Sequence, residues 1–418
     1  MTYSILVSSK HLQNFMEIAA AACILLAFAA PRFGRGFYSQ IAVHFKRLAL
    51  RRRSAILLAA AFPMAARLAL MPIFGFPAPA VHDDFSYLLL GDTFAHGRLA
   101  NPRPPEWRHF ESEYVLLTPT YASQYQPAQG LFLAAGQVLA GHPWWGVWLE
   151  MGVMFGAICW ALSQALPVRW ALLGACLAAM QFGIYGFWMN SYFGGAAAAS
   201  GGALVFGSLL RIRRDPATSG ALCAFGLIVL FASRPFEAVL WMIAALWFMA
   251  RRRDRIRASA PWFAAVFIAG AALLAGYNGR VTGNPFKPPY ELYRERYGVP
   301  QSFWWQPAVI VSNFDFPQLR DNYENQLTYW RRRYSPALLW DSTWRRLRDF
   351  WRFFLGPFLT PALLFAGYLW RDARVRPWFF ISALLILDHA TYHAWYPQQS
   401  APATVLIVLL LVQCWRRM

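Results

Sequence analysis

The sequence predicts an all-α polytopic membrane protein of about eleven transmembrane helices, with interfacial helices in two outer loops. Three observations predict it. Apolar residues gather in runs close to 20 residues long, such as 54–76 and 191–210, a length that matches the hydrocarbon core of a bilayer. Charged residues make up 14% of the chain against 58% hydrophobic, where soluble domains carry about 25% charge. Basic residues also alternate: segments 32–53, 169, 211–214, 251–257, 371–376 and 416–417 hold 21 of the 39 Lys and Arg. Only Asp215, Asp254 and Asp372 oppose them. Short Lys/Arg-rich loops mark the cytoplasmic side, and backbone inside lipid must satisfy its own hydrogen bonds, so the apolar runs should be helices.

Applied along the chain, this gives a path with the N-terminus outside and the C-terminus inside. The first span is 15–30, and no cleavable signal is evident because the run lacks a basic start. Residues 36–53 form a basic cytoplasmic linker suited to an anionic leaflet. The second span, 54–76, returns to the outer face and delivers a first outer loop, 77–127. Residues 127–141 are apolar but short, and read as an interfacial or re-entrant helix. Spans follow at 143–166, 170–189, 192–210, 219–233, 236–250 and 261–277. The short pair around Arg234-Pro235 reads as two helices, because one broken helix would put 251–257 outside. A second outer loop covers 278–350, and the last spans are 351–370, 377–393 and 401–415. Segments 86–99 and 344–351 mix apolar residues and charge at helical spacing and read as interfacial. The domain plan is therefore 1–53, a transmembrane core at 54–277, the loop at 278–350, and C-terminal helices at 351–418.

The net charge of +19 raises nucleic acid as a partner. The placement of the basic residues at span junctions excludes it and points to membrane lipids. Cys23, Cys159, Cys176, Cys223 and Cys414 lie in apolar runs without paired spacing, so they read as packing residues.

Four groups carry chemistry. Asp83 and Asp84 sit just past the second span, where adjacent carboxylates are costly near hydrocarbon. A carboxylate there can deprotonate an acceptor hydroxyl or hold a divalent cation, and it can also cap the helix that follows. His389 and His393 are spaced i, i+4 beside Asp388, a spacing that can hold a metal or a phosphate, or simply end a helix in water. Arg234 and Glu237 flank a proline-broken helix junction and line a cavity or pair internally. Arg331 to Arg333 and Arg345, Arg346, Arg348 and Arg352 lie in an outer loop, against the positive-inside trend. Arginine suits a lipid-linked phosphate and equally anionic headgroups; Arg331 and Arg345 are the candidates for the first. Glu150 lies inside an apolar run with no partner visible in sequence, and Arg67 in the second span fits snorkelling.

The order of motifs resembles the C-fold (GT-C) membrane glycosyltransferases, in a bacterial branch related to protein mannosyltransferases and aminoarabinose transferases. The match runs through His82-Asp83-Asp84-Phe85-Ser86-Tyr87, Asp92-Thr93-Phe94-Ala95-His96-Gly97-Arg98-Leu99, Pro119-Thr120-Tyr121, Pro127, Gly130 and Gly141-His142-Pro143. It continues at Tyr192-Phe193-Gly194-Gly195, Arg234-Pro235-Phe236-Glu237 and Thr282-Gly283-Asn284-Pro285-Phe286. The resemblance implies inverting transfer from a polyprenyl-phosphate sugar to a lipid, glycan or protein acceptor, in the bacterial inner membrane with the site facing the periplasm. It implies that Asp83 or Asp84 is the catalytic carboxylate, and that Tyr87, His96 and Tyr125 bind substrate with Arg234 and Glu237. A divalent cation (Mg, Mn or Zn) is the candidate cofactor, at His82 and Asp83 with His389 and His393. The chain departs from the pattern at Gln124, where a Lys is usual, at Gln398-Gln399, where His-Tyr is usual, and in an Asp-Asp rather than Asp-Glu pair. The departures fit an altered substrate or an inactive scaffold paralogue. A transporter or flippase for a lipid-linked substrate would need charge along a path through the membrane, whereas the non-cytoplasmic charges gather at one face.

Overall fold

The computed structural model describes residues 18, 22–23, 25–26, 29–30, 34–49, 51–251, 253–298, 306–311, 314–332, 335–387 and 396–417. The expected first span at 15–30 falls largely outside them, as do Asp388, His389, His393 and Arg333. The described chain is all-α apart from one two-stranded ribbon.

The principal helices are α1 (Arg35–Leu48), α2 (Arg52–Ala69), α3 (His82–Ala95), α4 (Pro127–Ala140), α5 (Trp144–Ala165), α6 (Val168–Ala178) and α7 (Ala196–Arg211). They continue with α8 (Pro216–Phe231), α9 (Pro235–Ala250), α10 (Arg253–Thr282), α11 (Pro289–Tyr297), α12 (Pro317–Arg331), α13 (Pro336–Phe350), α14 (Arg376–Leu387) and α15 (Thr404–Trp415). Strands β1 (Val115–Leu116) and β2 (Ala122–Ser123) pair antiparallel in the first outer loop.

Among the described residues three segments are long and apolar enough to cross a membrane: Trp144–Ala165, Arg255–Thr282 and Pro397–Trp415. Five shorter apolar helices accompany them: Val168–Gly183, Ala196–Arg211, Pro216–Phe231, Pro235–Ala250 and Arg376–Leu387. The helix at α10 turns only 6% of its most apolar stretch inward, and exposes Trp262, Ile268 and Leu273 along its length. Soluble monomers rarely expose so large an apolar surface, and here it belongs against lipid.

Several boundaries differ from the sequence reading, each for a local reason. The helix at α10 begins well before Pro261 and carries it in its interior, as membrane helices tolerate prolines more readily than soluble ones. The expected span 192–210 starts at Ala196, since Gly194 and Gly195 form the approach to it. The expected span 351–370 is not one regular helix. It runs as short helical pieces, Trp351–Leu355, Gly356–Leu359, Thr360–Phe365 and Gly367–Arg371. Gly356 takes a left-handed φ of 57°, and Pro357 and Pro361 each remove a backbone donor. Arg234-Pro235 separates two distinct helices, α8 and α9, as expected.

Small residues let the helices approach closely, the usual device where lipid removes the hydrophobic drive between them. The helices α4 and α5 form a hairpin through Gly141, whose φ of 73° ends α4. At their crossing a Cβ on Gly146 would lie 1.8 Å from the Phe132 carbonyl oxygen. In the same way α7 packs against the 3₁₀ turn before α15, where a Cβ on Gly202 would lie 2.2 Å from the Pro402 carbonyl oxygen. Around these contacts Trp144, Phe155, Phe182, Phe206 and Trp241 form the buried centre.

Glu150 and Arg67 are two of the ionisable side chains buried there. Glu150 on α5 accepts a hydrogen bond from the Ala197 backbone N–H, so its partner is one of the free donors at the N-terminus of α7. Arg67 does not snorkel: it is 1% exposed. Its Nε donates to Asn190 Oδ1 at 3.1 Å and Nη2 to the Gly75 carbonyl at 2.8 Å, with the guanidinium 4.9 Å from the Trp144 ring centroid.

Candidate active site

The acidic pair opens α3, and its two members do different things. Asp84 is 2% exposed. Its Oδ2 accepts from the Ala80 backbone N–H at 3.0 Å and its Oδ1 from the Tyr192 backbone N–H at 3.0 Å. It therefore ties the entry of α3 to the loop between α6 and α7. That tie is doubled by the Tyr192 hydroxyl, which donates to the Pro77 carbonyl at 2.9 Å. Both Asp84 oxygens are engaged by backbone, which fits a structural staple.

Asp83, one residue earlier and about 100° round the helix, is half-buried and turns elsewhere. The Tyr125 hydroxyl donates a short hydrogen bond to its Oδ1. Among the described residues no other side chain hydrogen-bonds to it. Tyr125 is itself held on every side. Its ring stacks on Tyr87 with centroids 4.1 Å apart and planes 9° apart. Its N–H donates to Ser123 Oγ at 3.0 Å, and its carbonyl accepts from the Tyr277 hydroxyl at 3.0 Å. Phe193 meets the Tyr87 ring edge-on at 5.5 Å, and the Arg234 guanidinium lies 6.0 Å from the Phe193 centroid.

The ribbon of β1 and β2 brings Tyr125 here. Ser86 Oγ on α3 donates to the Tyr114 carbonyl at 2.7 Å and lies 2.8 Å from Ser123 Oγ, so α3 and the ribbon are bolted side to side. Tyr114 adopts a left-handed φ of 63°, a strained conformation for a residue with a Cβ that persists only when the surroundings impose it. Its ring faces Tyr125 at 6.5 Å and Tyr293 of α11 at 5.9 Å. The result is a wall of phenols around one carboxylate.

Electrostatics follow from that burial. Desolvation pushes the Asp83 carboxyl above the usual carboxylate range, and the neighbouring Asp84 adds to the rise. The Tyr125 hydrogen bond and the Arg234 charge pull it partly back. Burial likewise pushes the Tyr125 phenol well above its ordinary value, and Asp83 raises it further, so Tyr125 remains a donor. Burial raises the Glu113 carboxyl as well; His82, whose Nε2 lies 3.6 Å away, lowers it, and Asp83 raises it.

The structure thus brings together Asp83, Asp84, Tyr87, Tyr125, Arg234 and Glu237. Glu237 is 3% exposed and lies within electrostatic reach of Arg234, so this pair turns into the protein rather than to lipid. His96 does not join the group. It caps the far end of α3, roughly 20 Å along the axis at 1.5 Å per residue, with Nδ1 2.9 Å from the Asp92 carbonyl. Arg345 forms a surface ion pair with Asp341, and Arg331 is exposed at the end of α12. Of the proposed metal ligands, His82 faces Glu113 and Asp83 Oδ1 is taken by Tyr125. Among the described residues no group of three or more His, Cys, Asp or Glu converges on one point. His389 and His393 lie outside the described residues. Sequence reasoning missed Glu113, Tyr114, Phe193 and Tyr293. Phe193 lies in the Tyr192-Phe193-Gly194-Gly195 motif without having been given a role; the positive φ of Tyr114 has no signature in a lone tyrosine.

Compared with protein-family models, with curated proteins and with solved structures, this chain finds no match.

Proposed function

We propose that the chain is a membrane glycosyltransferase that moves a sugar, with inversion, from a polyprenyl-phosphate donor to a hydroxyl acceptor at the periplasmic face of a bacterial inner membrane. The observation that carries this reading is Asp83: a half-buried carboxylate at the start of the helix that follows the second span, held at one oxygen by Tyr125 and facing the Arg234 charge. In the reaction Asp83 takes the proton of the acceptor hydroxyl as its oxygen attacks the anomeric carbon. The bond from that carbon to the phosphate oxygen breaks, and polyprenyl phosphate leaves. General-base help of this kind is worth about 10²–10⁴-fold. Arg234 supplies positive charge near the departing phosphate, in a site where few waters screen it. No step here is routed through a cation.

The topology that fits is eleven spans, outer N-terminus and cytoplasmic C-terminus. Residues 54–277 form the catalytic core, 77–127 the catalytic loop, 278–350 the second outer loop, and 1–53 and 351–418 the flanking helices. The test is sugar transfer in membranes carrying Asp83→Asn or Asp84→Asn. Loss in the first with normal insertion supports the reading; full activity in both ends it. Full transfer by Asp83→Asn with loss in Asp84→Asn moves the role one residue along.

A further inference from the structure

One feature of the sequence is left over by the function: residues 331–352 hold seven Arg against two Asp, on the side where the positive-inside rule expects few basic residues. They surround α13. At 100° per residue, Leu339, Trp340, Thr343, Trp344, Leu347 and Phe350 share an arc of roughly 140°. Asp341, Arg345, Arg348 and Asp349 take the opposite side, where Leu338 is the one apolar exception. The helix buries no residue. Trp340, Trp344 and Leu347 are 74%, 62% and 56% exposed, so the described protein leaves the face uncovered from Leu339 to Leu347, while Phe350 packs on Phe354 with ring centroids 4.9 Å apart.

What covers it follows from where the helix is attached. Directly after α13, Gln181 donates to the carbonyls of Arg352 at 3.0 Å and Phe353 at 3.3 Å, and Phe354 is fully buried. Trp188 meets Phe353 edge-on at 5.1 Å. Trp188 belongs to the loop whose Tyr192 binds Asp84, so α13 joins the bundle at the end that carries the acidic pair. The chain beyond it exposes Leu364 and Trp370, the apolar surface that belongs against lipid. The helix at α13 therefore leaves the bundle at the edge of that surface, with tryptophans on one face and arginines on the other, the arrangement of a helix lying in a headgroup layer.

We propose that α13 seats on the outer leaflet and binds anionic phospholipid, its Trp340–Trp344–Leu347 face at the acyl boundary and its arginines on headgroup phosphates. This rests on the proposed topology and not on the transfer reaction. The test places a photoreactive benzoylphenylalanine singly at 340, 344 or 347, and at 341 or 348 as controls. The full-length protein is reconstituted in bilayers of phosphatidylcholine with or without phosphatidylglycerol. Lipid adducts are expected at 340, 344 and 347 and not at 341 or 348. Phosphatidylglycerol is expected to be captured beyond its share of the bilayer, and that excess is expected to be lost when Arg345 and Arg348 are changed together to Gln. Adducts to protein at 340, 344 and 347 would instead mean a second copy or another chain covers the face and would overturn the proposal. So would equal labelling of both faces, or capture of phosphatidylglycerol only in proportion to its abundance.

Discussion

At the scale of single residues, the acidic pair is legible in sequence but its division of labour is not. Two adjacent acids beyond an apolar run declare themselves by cost. Which of them is free to react depends on partners 42 and 108 positions away, Tyr125 and Tyr192, and no spacing rule reaches that far. The division yields two predictions. Removing Asp84 as Asp84→Ala orphans the buried Tyr192 backbone donor, at about 1–3 kcal/mol, and leaves the exposed Ala80 N–H to water, so thermal denaturation in detergent should show a loss of roughly 1–3 kcal/mol. Asp83→Asn should leave stability at neutral pH unchanged or higher. Its carboxyl is raised above the unfolded value, so as pH climbs from the unfolded to the folded pKa the charged form weighs against folding, and the neutral amide avoids that. Activity runs the other way. The charged base appears only above the raised pKa, so transfer should rise with pH along an acid limb displaced upward from the ordinary carboxylate range. Tyr125→Phe removes the donor that favours the charged form, and its limb should lie higher still in a pH–rate profile. An unmoved limb would mean that Asp83 is not the titrating base.

At the scale of elements, periodicity and length found most helices, and failed where backbone chemistry overrides composition. The run 351–370 is apolar enough to span, yet Gly356, Pro357 and Pro361 divide it into short pieces. Segment 86–99 reads as interfacial; α3 buries Ser86, Tyr87, Leu90, Gly91 and Thr93 on one side and lies against α4, where Gln137 Nε2 donates to Asp92 Oδ1 at 3.0 Å, a partner that composition does not reveal. The ribbon that delivers Tyr125 has two residues per strand, too few for any alternation to register. Helix contacts give a sharper test. Gly146→Ala would drive a Cβ into the Phe132 carbonyl, which is backbone and cannot rotate away. The α4–α5 hairpin must open, at a cost of about 3 kcal/mol or more. Gly276→Ala on α10 meets nothing within 4 Å and gains the better helix propensity of alanine, up to about 1 kcal/mol. Unfolding of the two variants side by side should therefore move in opposite directions. Equal effects would contradict the close crossing.

At the scale of the whole molecule, the alternation of basic junctions predicts which side each loop occupies, and the broken segment at 356–371 is where that prediction is most exposed. Between the second outer loop and the C-terminus the proposed path crosses the membrane three times: through the pieces from Trp351 to Arg371, through α14, and through the Pro397–Trp415 helix. Three is odd, so a reporter inserted beside Tyr323 and one fused after Met418 should report opposite sides, periplasm and cytoplasm. The charges agree, since Arg371, Arg374 and Arg376 gather at the far end of the broken segment and Arg416 and Arg417 at the end of α15. Asp372 lies 3.9 Å from Arg417, which puts those two basic junctions at one end of the bundle. That contact demands an even number of crossings between residues 372 and 417, supplied by α14 and α15, and leaves the broken segment as the crossing that decides parity. Should the short pieces fold back on the outer side, both reporters would read alike, and the eleven-span path would fail at that segment. A third reporter at residue 255 gives the reference side, because it should read cytoplasmic on either path. Cytoplasmic at 255, periplasmic beside 323 and cytoplasmic at 418 is the expected set.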